Sequence, residues 1–186
     1  RWWLHREPPS AEHSATVEKR QAVVARLRTT ALANLAWHLD RDNGWAIPII
    51  HVRHSSTNVD SKLHESNLGF EFNDHVTPVG DEIILKKTVN SAFIGTDLKS
   101  ILDKSKTEVL IVVGMTTNHC ISTTVRMSGN LGFQTYLISD STACYNTKGI
   151  NGEMIDCEVI YQAALASIND EFATVINSEK LISLIE

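Results

Sequence analysis

Hydrophobic residues recur along this chain with two different periods. From about residue 16 to residue 42 they recur every three or four positions without Pro or Gly, which predicts a long helix. Further along, Val109–Val113 is a near-continuous apolar run, typical of a strand that is buried on both faces. Such strands alternate with helical segments through the second half of the chain. This alternation predicts an α/β fold with a parallel sheet and helices on both of its faces.

The pattern divides the chain into further elements. Strands are predicted near residues 47–53, 82–85, 109–113, 133–139 and 172–176. Besides the long first helix, helices are predicted after residue 97 and over 119–131, 157–168 and 178–185. Residues 54–80 are polar and predict a long loop, and a loop of that length in a compact domain is usually functional.

Composition narrows the class of protein. The chain has 186 residues, the size of one α/β domain, and a net charge of −5 without a basic stripe, so we expect no nucleic-acid partner. Its longest apolar run, Val109–Met115, is far shorter than the roughly 18 residues of a membrane span, and no signal peptide is visible. Three dispersed cysteines, Cys120, Cys144 and Cys157, predict free thiols in a reducing compartment. We therefore expect a cytoplasmic protein that does not bind membranes.

Cys120 lies just past the apolar strand, at the start of the next predicted helix. The unpaired N–H groups and partial positive charge of a helix N-terminus stabilise a thiolate and can hold a developing oxyanion. The alternative interpretation is a buried structural cysteine, which is common. For Cys144 and Cys157 the structural interpretation is favoured.

Three blocks around these elements resemble a known family. They are Gly114–Cys120 (GMTTNHC), Lys87–Leu98 (KTVNSAFIGTDL) and Trp45–His54 (WAIPIIHVRH). In their order along the chain they are similar to the cysteine hydrolases of the isochorismatase-like superfamily, and the resemblance runs from about Asn34 to Val175. It implies a three-layer α/β/α sandwich around a parallel sheet.

The resemblance also implies a catalytic site built on an Asp-Lys-Cys triad. Cys120 would be the nucleophile and Lys87 the triad lysine, with Lys86 as the alternative if the register differs by one residue. The family's cis peptide bond would fall at Met115–Thr116. The backbone N–H groups of Thr116 and Cys120 would then form the oxyanion hole.

Three further residues are candidates for binding substrate. Phe93 is expected either to wall the pocket or to pack in the core. Asn118 and His119 flank the nucleophile, and one of them either binds substrate or braces the turn. Trp2 and Trp3 would follow the family's first strand, so they are expected either to line the pocket or to pack at the surface or in an interface.

The triad aspartate is the main departure from the family. In the family it ends a first strand, and no matching segment is found here. We therefore expect that strand to lie before Arg1, and residues 1–186 to form one domain without it. The chain would then be either a fragment of a larger active protein or a degenerate hydrolase that lacks its general base.

Metal binding separates the branches of this family. Nicotinamidase-like members carry an Asp-x-His…His site after the second strand, whereas here His51 and His54 occupy that region, with His64 and His75 beyond. The Asp-Trp-His pattern is missing, so we expect neither a metal nor another cofactor. True isochorismatases lack the cysteine, so cleavage of the isochorismate vinyl ether is not expected either.

These residues together predict a cysteine-dependent hydrolase of a small amide or related C–N bond that acts through a thioester. The expected partners are a small-molecule substrate and further copies of the chain, in a homodimer or homotetramer. The alternative is a catalytically degenerate member of the same fold that binds small molecules or acts as an oligomeric interaction protein.

Overall fold

The structure is a computed structural model that describes residues 49–72 and 76–185. The long helix predicted at 16–42 lies outside the described residues, as do Trp2, Trp3 and His75. The strand expected before Arg1 lies outside them as well.

The described chain alternates strands with helices. The strands are Ile50–His54 (β1), Ile83–Lys87 (β2), Val109–Met115 (β3), Gln134–Ala143 (β4), Thr147–Lys148 (β5), Met154–Ile155 (β6) and Thr174–Ile176 (β7). The α-helices are Leu98–Lys104 (α1), Ser122–Asn130 (α2), Cys157–Ala166 (α3) and Ser178–Ile185 (α4). A 3₁₀ turn covers Leu68–Phe70 and a π-helical turn covers Thr117–Ile121.

Apart from the pairing of β5 with β6, the strand pairings are parallel. β1 pairs with β2, and β4 lies between β3 and β7 in a second sheet. Parallel neighbours require a crossover connection, and the crossovers from β3 to β4 and from β4 to β7 contain α2 and α3. The expected α/β fold with parallel strands is therefore confirmed.

Two segments of the second half differ from the predicted elements. β4 continues past the expected end at Ser139, because a register shift opposite Val112 and Gly114 lets it pair again at Ala143. The region around Gly149, where the sequence pattern predicts neither strand nor helix, is the tip of a small antiparallel hairpin formed by β5 and β6.

The strand β3 is less buried than its apolar sequence predicts. Its residues are half-buried except Val109, which is 45% exposed. Among the described residues β3 has a strand partner along one edge only, β4.

Hydrophobic side chains form three clusters around these strands. The first joins α2, α3 and β4 through Val125, Leu165 and Leu137. The second packs α4 on β4 through Ile138 and Leu181. The third lies under α1 and contains Ala92, Leu98 and Leu102. Within the described ranges, no helix is both long and apolar enough to cross a membrane.

Candidate active site

Two strand ends and one turn meet at the candidate site. In the parallel register of β1 and β2, His54 lies opposite Lys87, the last residue of each strand. β3 leads directly into the turn that carries Cys120. The carboxyl ends of parallel strands are where ligands bind in open α/β sheets.

The ammonium of Lys87 contacts the thiol. Its Nζ lies 3.2 Å from Cys120 Sγ, 2.9 Å from the carbonyl oxygen of Val89 and 3.3 Å from His54 Nδ1. Lys87 is 5% exposed, so a buried charge sits beside the sulfur.

Lys86 faces away from this site. Its Nζ donates to the exposed carboxylate of Glu65 at 2.7 Å. Adjacent residues of a strand point to opposite faces, so of the two candidate lysines the structure brings Lys87, not Lys86, to Cys120.

The turn before α2 holds Cys120 in place. The peptide bond between Met115 and Thr116 is cis, at the position that the family resemblance implies. The carbonyl of Thr116 accepts from the N–H groups of His119 and Ile121 at 3.0 and 3.3 Å, which closes a π-helical turn. Cys120 lies inside this turn and is half-buried.

Two hydroxyl contacts fix the turn to its surroundings. Thr117, fully buried, shares a hydrogen bond of 2.8 Å with Thr142 on β4. Thr124 on α2 accepts from the backbone N–H of Ala92 at 3.0 Å, so the segment after β2 is tied to the helix that follows Cys120. These contacts keep the lysine and cysteine blocks together.

The three candidate substrate-binding residues lie in different settings. Phe93 stacks on Phe133 with ring centroids 6.0 Å apart and packs against the hydrophobic cluster under α1. Asn118 and His119 are half-buried in the turn beside Cys120. The carbonyl of His119 accepts from the Thr123 hydroxyl at 2.9 Å, which braces the turn.

His54 is a site residue that the sequence reasoning mentioned only in noting that the metal-binding pattern of the nicotinamidase branch is missing. Burial lowers its pKa from the usual 6.5, the charge of Lys87 lowers the pKa further, and a hydrogen bond with the Val89 carbonyl opposes both effects. The signal that could have identified it is its place opposite Lys87 at the ends of two paired strands.

No carboxylate of residues 49–72 and 76–185 forms an ion pair with Lys87. The same residues contain no group of three or more His, Cys, Asp or Glu side chains arranged to hold a metal ion. A surface cavity of about 450 Å³ lies in the loop between β1 and β2 and is lined by Asp60, Lys62, Ser66, Asn67, Leu68 and Gly69. None of these six residues is a cysteine or a histidine, and the lining does not include Cys120.

Comparison with known proteins shows the family of this chain. The family model of the isochorismatase domain matches residues 10–180. The chain belongs to the isochorismatase family. An uncharacterized isochorismatase family protein of Bacillus subtilis, YrdC, is 43% identical over 143 residues, which are 77% of this chain and 75% of that protein.

Two further relatives of this isochorismatase-family chain are informative. The crystal structure of an isochorismatase from Pseudomonas putida superposes with a TM-score of 0.74 and 28% identity, covering 89% of this chain and 79% of that one. Nicotinamidase 3 of Arabidopsis thaliana is 30% identical over 102 residues, 55% of this chain and 46% of that protein. Membership of this family supports the interpretation that the chain is a hydrolase, an enzyme of the isochorismatase type.

Proposed function

We propose that this isochorismatase-family protein is a cysteine-dependent hydrolase of a small amide or related C–N bond. The observation that carries the proposal is the 3.2 Å contact between Lys87 Nζ and Cys120 Sγ in a site at the strand ends. Similarity to a protein named nicotinamidase supports an amide as the substrate class.

The pair is suited to nucleophilic chemistry. The thiolate is the reactive form of cysteine, and a neighbouring ammonium stabilises it. Lys87 is buried, so its charge is weakly screened by water and acts strongly on the sulfur. Cys120 is half-buried, which leaves the sulfur partly accessible.

The proposed reaction has two halves. The Cys120 sulfur bonds to the carbonyl carbon and the carbonyl electron pair moves to oxygen, where the N–H groups of Thr116 and Cys120 hold it. The C=O bond then re-forms, the C–N bond breaks, and an acid–base group protonates the departing amine. Water adds to the thioester in the same way, the C–S bond breaks, and the acid and the thiolate are released.

The acid–base group is the part of this reaction that the described residues do not supply. The family resemblance assigns the role to an aspartate. Lys87 has three close acceptors, and no carboxylate in the described part of the chain pairs with it. This observation favours the second candidate function, a non-catalytic protein that binds a small molecule at the same place.

Acyl-enzyme trapping distinguishes the two candidates. The protein is mixed with a panel of small amides, quenched in acid and weighed intact, while released amine is measured. Hydrolysis predicts an acyl adduct on Cys120 that disappears in Cys120→Ala and persists in the control Cys157→Ala. Turnover that survives Cys120→Ala contradicts the mechanism, and a compound that raises the melting temperature without amine release supports the binding protein.

We also propose a cytoplasmic location and a homodimeric or homotetrameric assembly. All three cysteines are free, which agrees with a reducing compartment. Sedimentation of the purified chain measures its assembly state directly.

A further inference from the structure

The three donors of the Lys87 ammonium have three acceptors around them. These are the Val89 carbonyl at 2.9 Å, Cys120 Sγ at 3.2 Å and His54 Nδ1 at 3.3 Å. A lysine ammonium has three N–H groups and no acceptor. Each N–H therefore has one partner, and His54 supplies the partner that belongs to neither the backbone nor the nucleophile.

Burial makes that third partner necessary. Lys87 is only 5% exposed. A buried charged group with an unpaired donor destabilises the fold by the full free energy of removing that donor from water. Because the ammonium cannot accept, the 3.3 Å contact is a hydrogen bond only when Nδ1 of His54 accepts and the ring proton sits on Nε2, and our inference assigns this tautomer. The neutral form of His54 is the form that fits.

We infer that neutral His54 is a positioning residue that directs the Lys87 ammonium at the Cys120 sulfur, and that protonation of His54 releases the lysine. The inference rests on the proposed thiol chemistry. It concerns the state of the Lys87–Cys120 pair and not the identity of the substrate.

Protonation would weaken the contact between His54 and Lys87 in two ways. A proton on Nδ1 removes the acceptor for Lys87, and it places two positive charges next to each other. Burial and the charge of Lys87 both lower the pKa of His54, so the neutral form persists to a lower pH than for a free histidine.

Other charges on these strands point elsewhere. Arg53 and Lys86, the preceding residues, lie opposite each other in the register and on the other face of the pair. Arg53 stacks over an aromatic ring and Lys86 pairs with Glu65. Of the described charged and titratable side chains, Lys87 faces His54 directly and Cys120 faces it across Lys87.

The test measures thiolate reactivity as a function of pH, with no substrate. The probe is 2,2′-dipyridyl disulfide, which reacts with thiolates in acid, and the labelled cysteine is mapped by peptide mass. The variants are His54→Leu, which removes the acceptor, and His54→Asn, which keeps an acceptor near Nδ1 but does not titrate. His51→Asn is the matched control, because His51 lies on the same strand and bonds Glu82 at 2.8 Å instead.

At neutral pH, we expect His54→Leu to slow labelling of Cys120 by about tenfold, the effect of one hydrogen bond to a charged group. His54→Asn and His51→Asn should stay close to the unmodified protein. In acid, protonation of His54 should steepen the fall in rate of the unmodified protein until it has lost about tenfold more than His54→Asn, whose slope should stay near the one expected for protonation of the thiolate alone.

Two results would overturn the inference. The first is equal slopes in acid for the unmodified protein and His54→Asn, a comparison that decides the matter even if His54→Leu does not fold. The second is equal loss of reactivity in the Asn and Leu variants, which would show that ring size, not the acceptor, matters. Failure of the amide hydrolysis experiment alone would leave these thiol rates unchanged, so the two proposals fail separately.

Discussion

The Nζ atom of Lys87 lies 3.2 Å from the Sγ atom of Cys120, although 33 positions separate the two residues in the chain. Lys87 ends β2, and Cys120 lies in the turn after β3. The hydrogen bond from the Ala92 N–H to Thr124 ties the two segments together beside this contact. The contact therefore results from tertiary packing. Substituting Lys87 or Lys86, the two lysines at the end of β2, tests which of them acts on the thiol.

Replacing Lys87 by Met should slow the alkylation of Cys120 by iodoacetamide at neutral pH by roughly tenfold or more, because the thiolate loses a charged hydrogen-bond donor. Lys86→Met is the control, since Lys86 pairs with Glu65 at the exposed surface. The rates are read by intact mass. Equal slowing by both substitutions would contradict the assignment of Lys87.

The three cysteines should differ in reactivity. Burial raises the pKa of Cys157, and the charges of Asp156 and Glu158 raise it further, so less of its thiolate is present at neutral pH. Cys144 is 2% exposed and shielded from reagents. We expect alkylation first at Cys120, then at Cys157 as the pH rises, and at Cys144 only after unfolding; peptide mapping over time gives the order. Labelling of Cys157 before Cys120 would argue against an activated nucleophile.

Stability should depend on pH through His54. The folded protein holds the pKa of His54 below 6.5, whereas the unfolded chain does not. As the pH falls below 6.5, the unfolded state binds the proton first, so the free energy of unfolding decreases until the pH reaches the lowered pKa of the folded state. Above 6.5 this contribution is fully present.

Urea unfolding of the unmodified protein and of His54→Asn measures this effect between about pH 5 and pH 8. The difference in stability between the two should be constant above 6.5 and should change as the pH falls. A difference that stays constant over the whole range would mean that His54 has the same pKa in both states.

Gly129 packs closely against a neighbouring loop. A Cβ at this position would lie 2.8 Å from the carbonyl oxygen of Phe172 and 3.2 Å from its Cα, and both are backbone atoms that cannot turn aside. Gly129→Ala should therefore destabilise the protein by roughly 1–3 kcal/mol, as overpacking does. Thermal unfolding measures it, with Asn130→Ala at the next, exposed position as the control. If the melting temperature of Gly129→Ala rises or stays the same, the Phe172 backbone can move to make room for the Cβ atom.

Local patterns predicted several elements well. The helix expected over 178–185 is present as Ser178–Ile185, and the helix expected from Cys157 begins there. Both have apolar residues at helical spacing, and Asp156 caps the second by accepting from the Glu158 N–H at 2.8 Å. The hairpin of β5 and β6 was missed because each strand has two residues, too few for a periodic signal.

The choice between Lys86 and Lys87 shows where sequence reasoning stops. A shift of one residue along a strand moves a side chain to the other face of the sheet, and the Ile-Ile-Leu-Lys-Lys sequence of β2 allows both assignments. The pairing of β2 with β1 sets the register, and that register places Lys87 beside His54 and Cys120.

The sequence by itself determined the alternation of strands and helices, the position of Cys120 in a turn after an apolar strand, and the resemblance that names a lysine and a cysteine as partners. These follow from local periodicity and short motifs, which depend on neighbours in the chain. Only the tertiary structure decided which lysine meets the thiol and that His54 completes the shell of acceptors around it. Both depend on strand register and on crossover packing between β1, β2 and the turn after β3, which bring together atoms more than 30 residues apart.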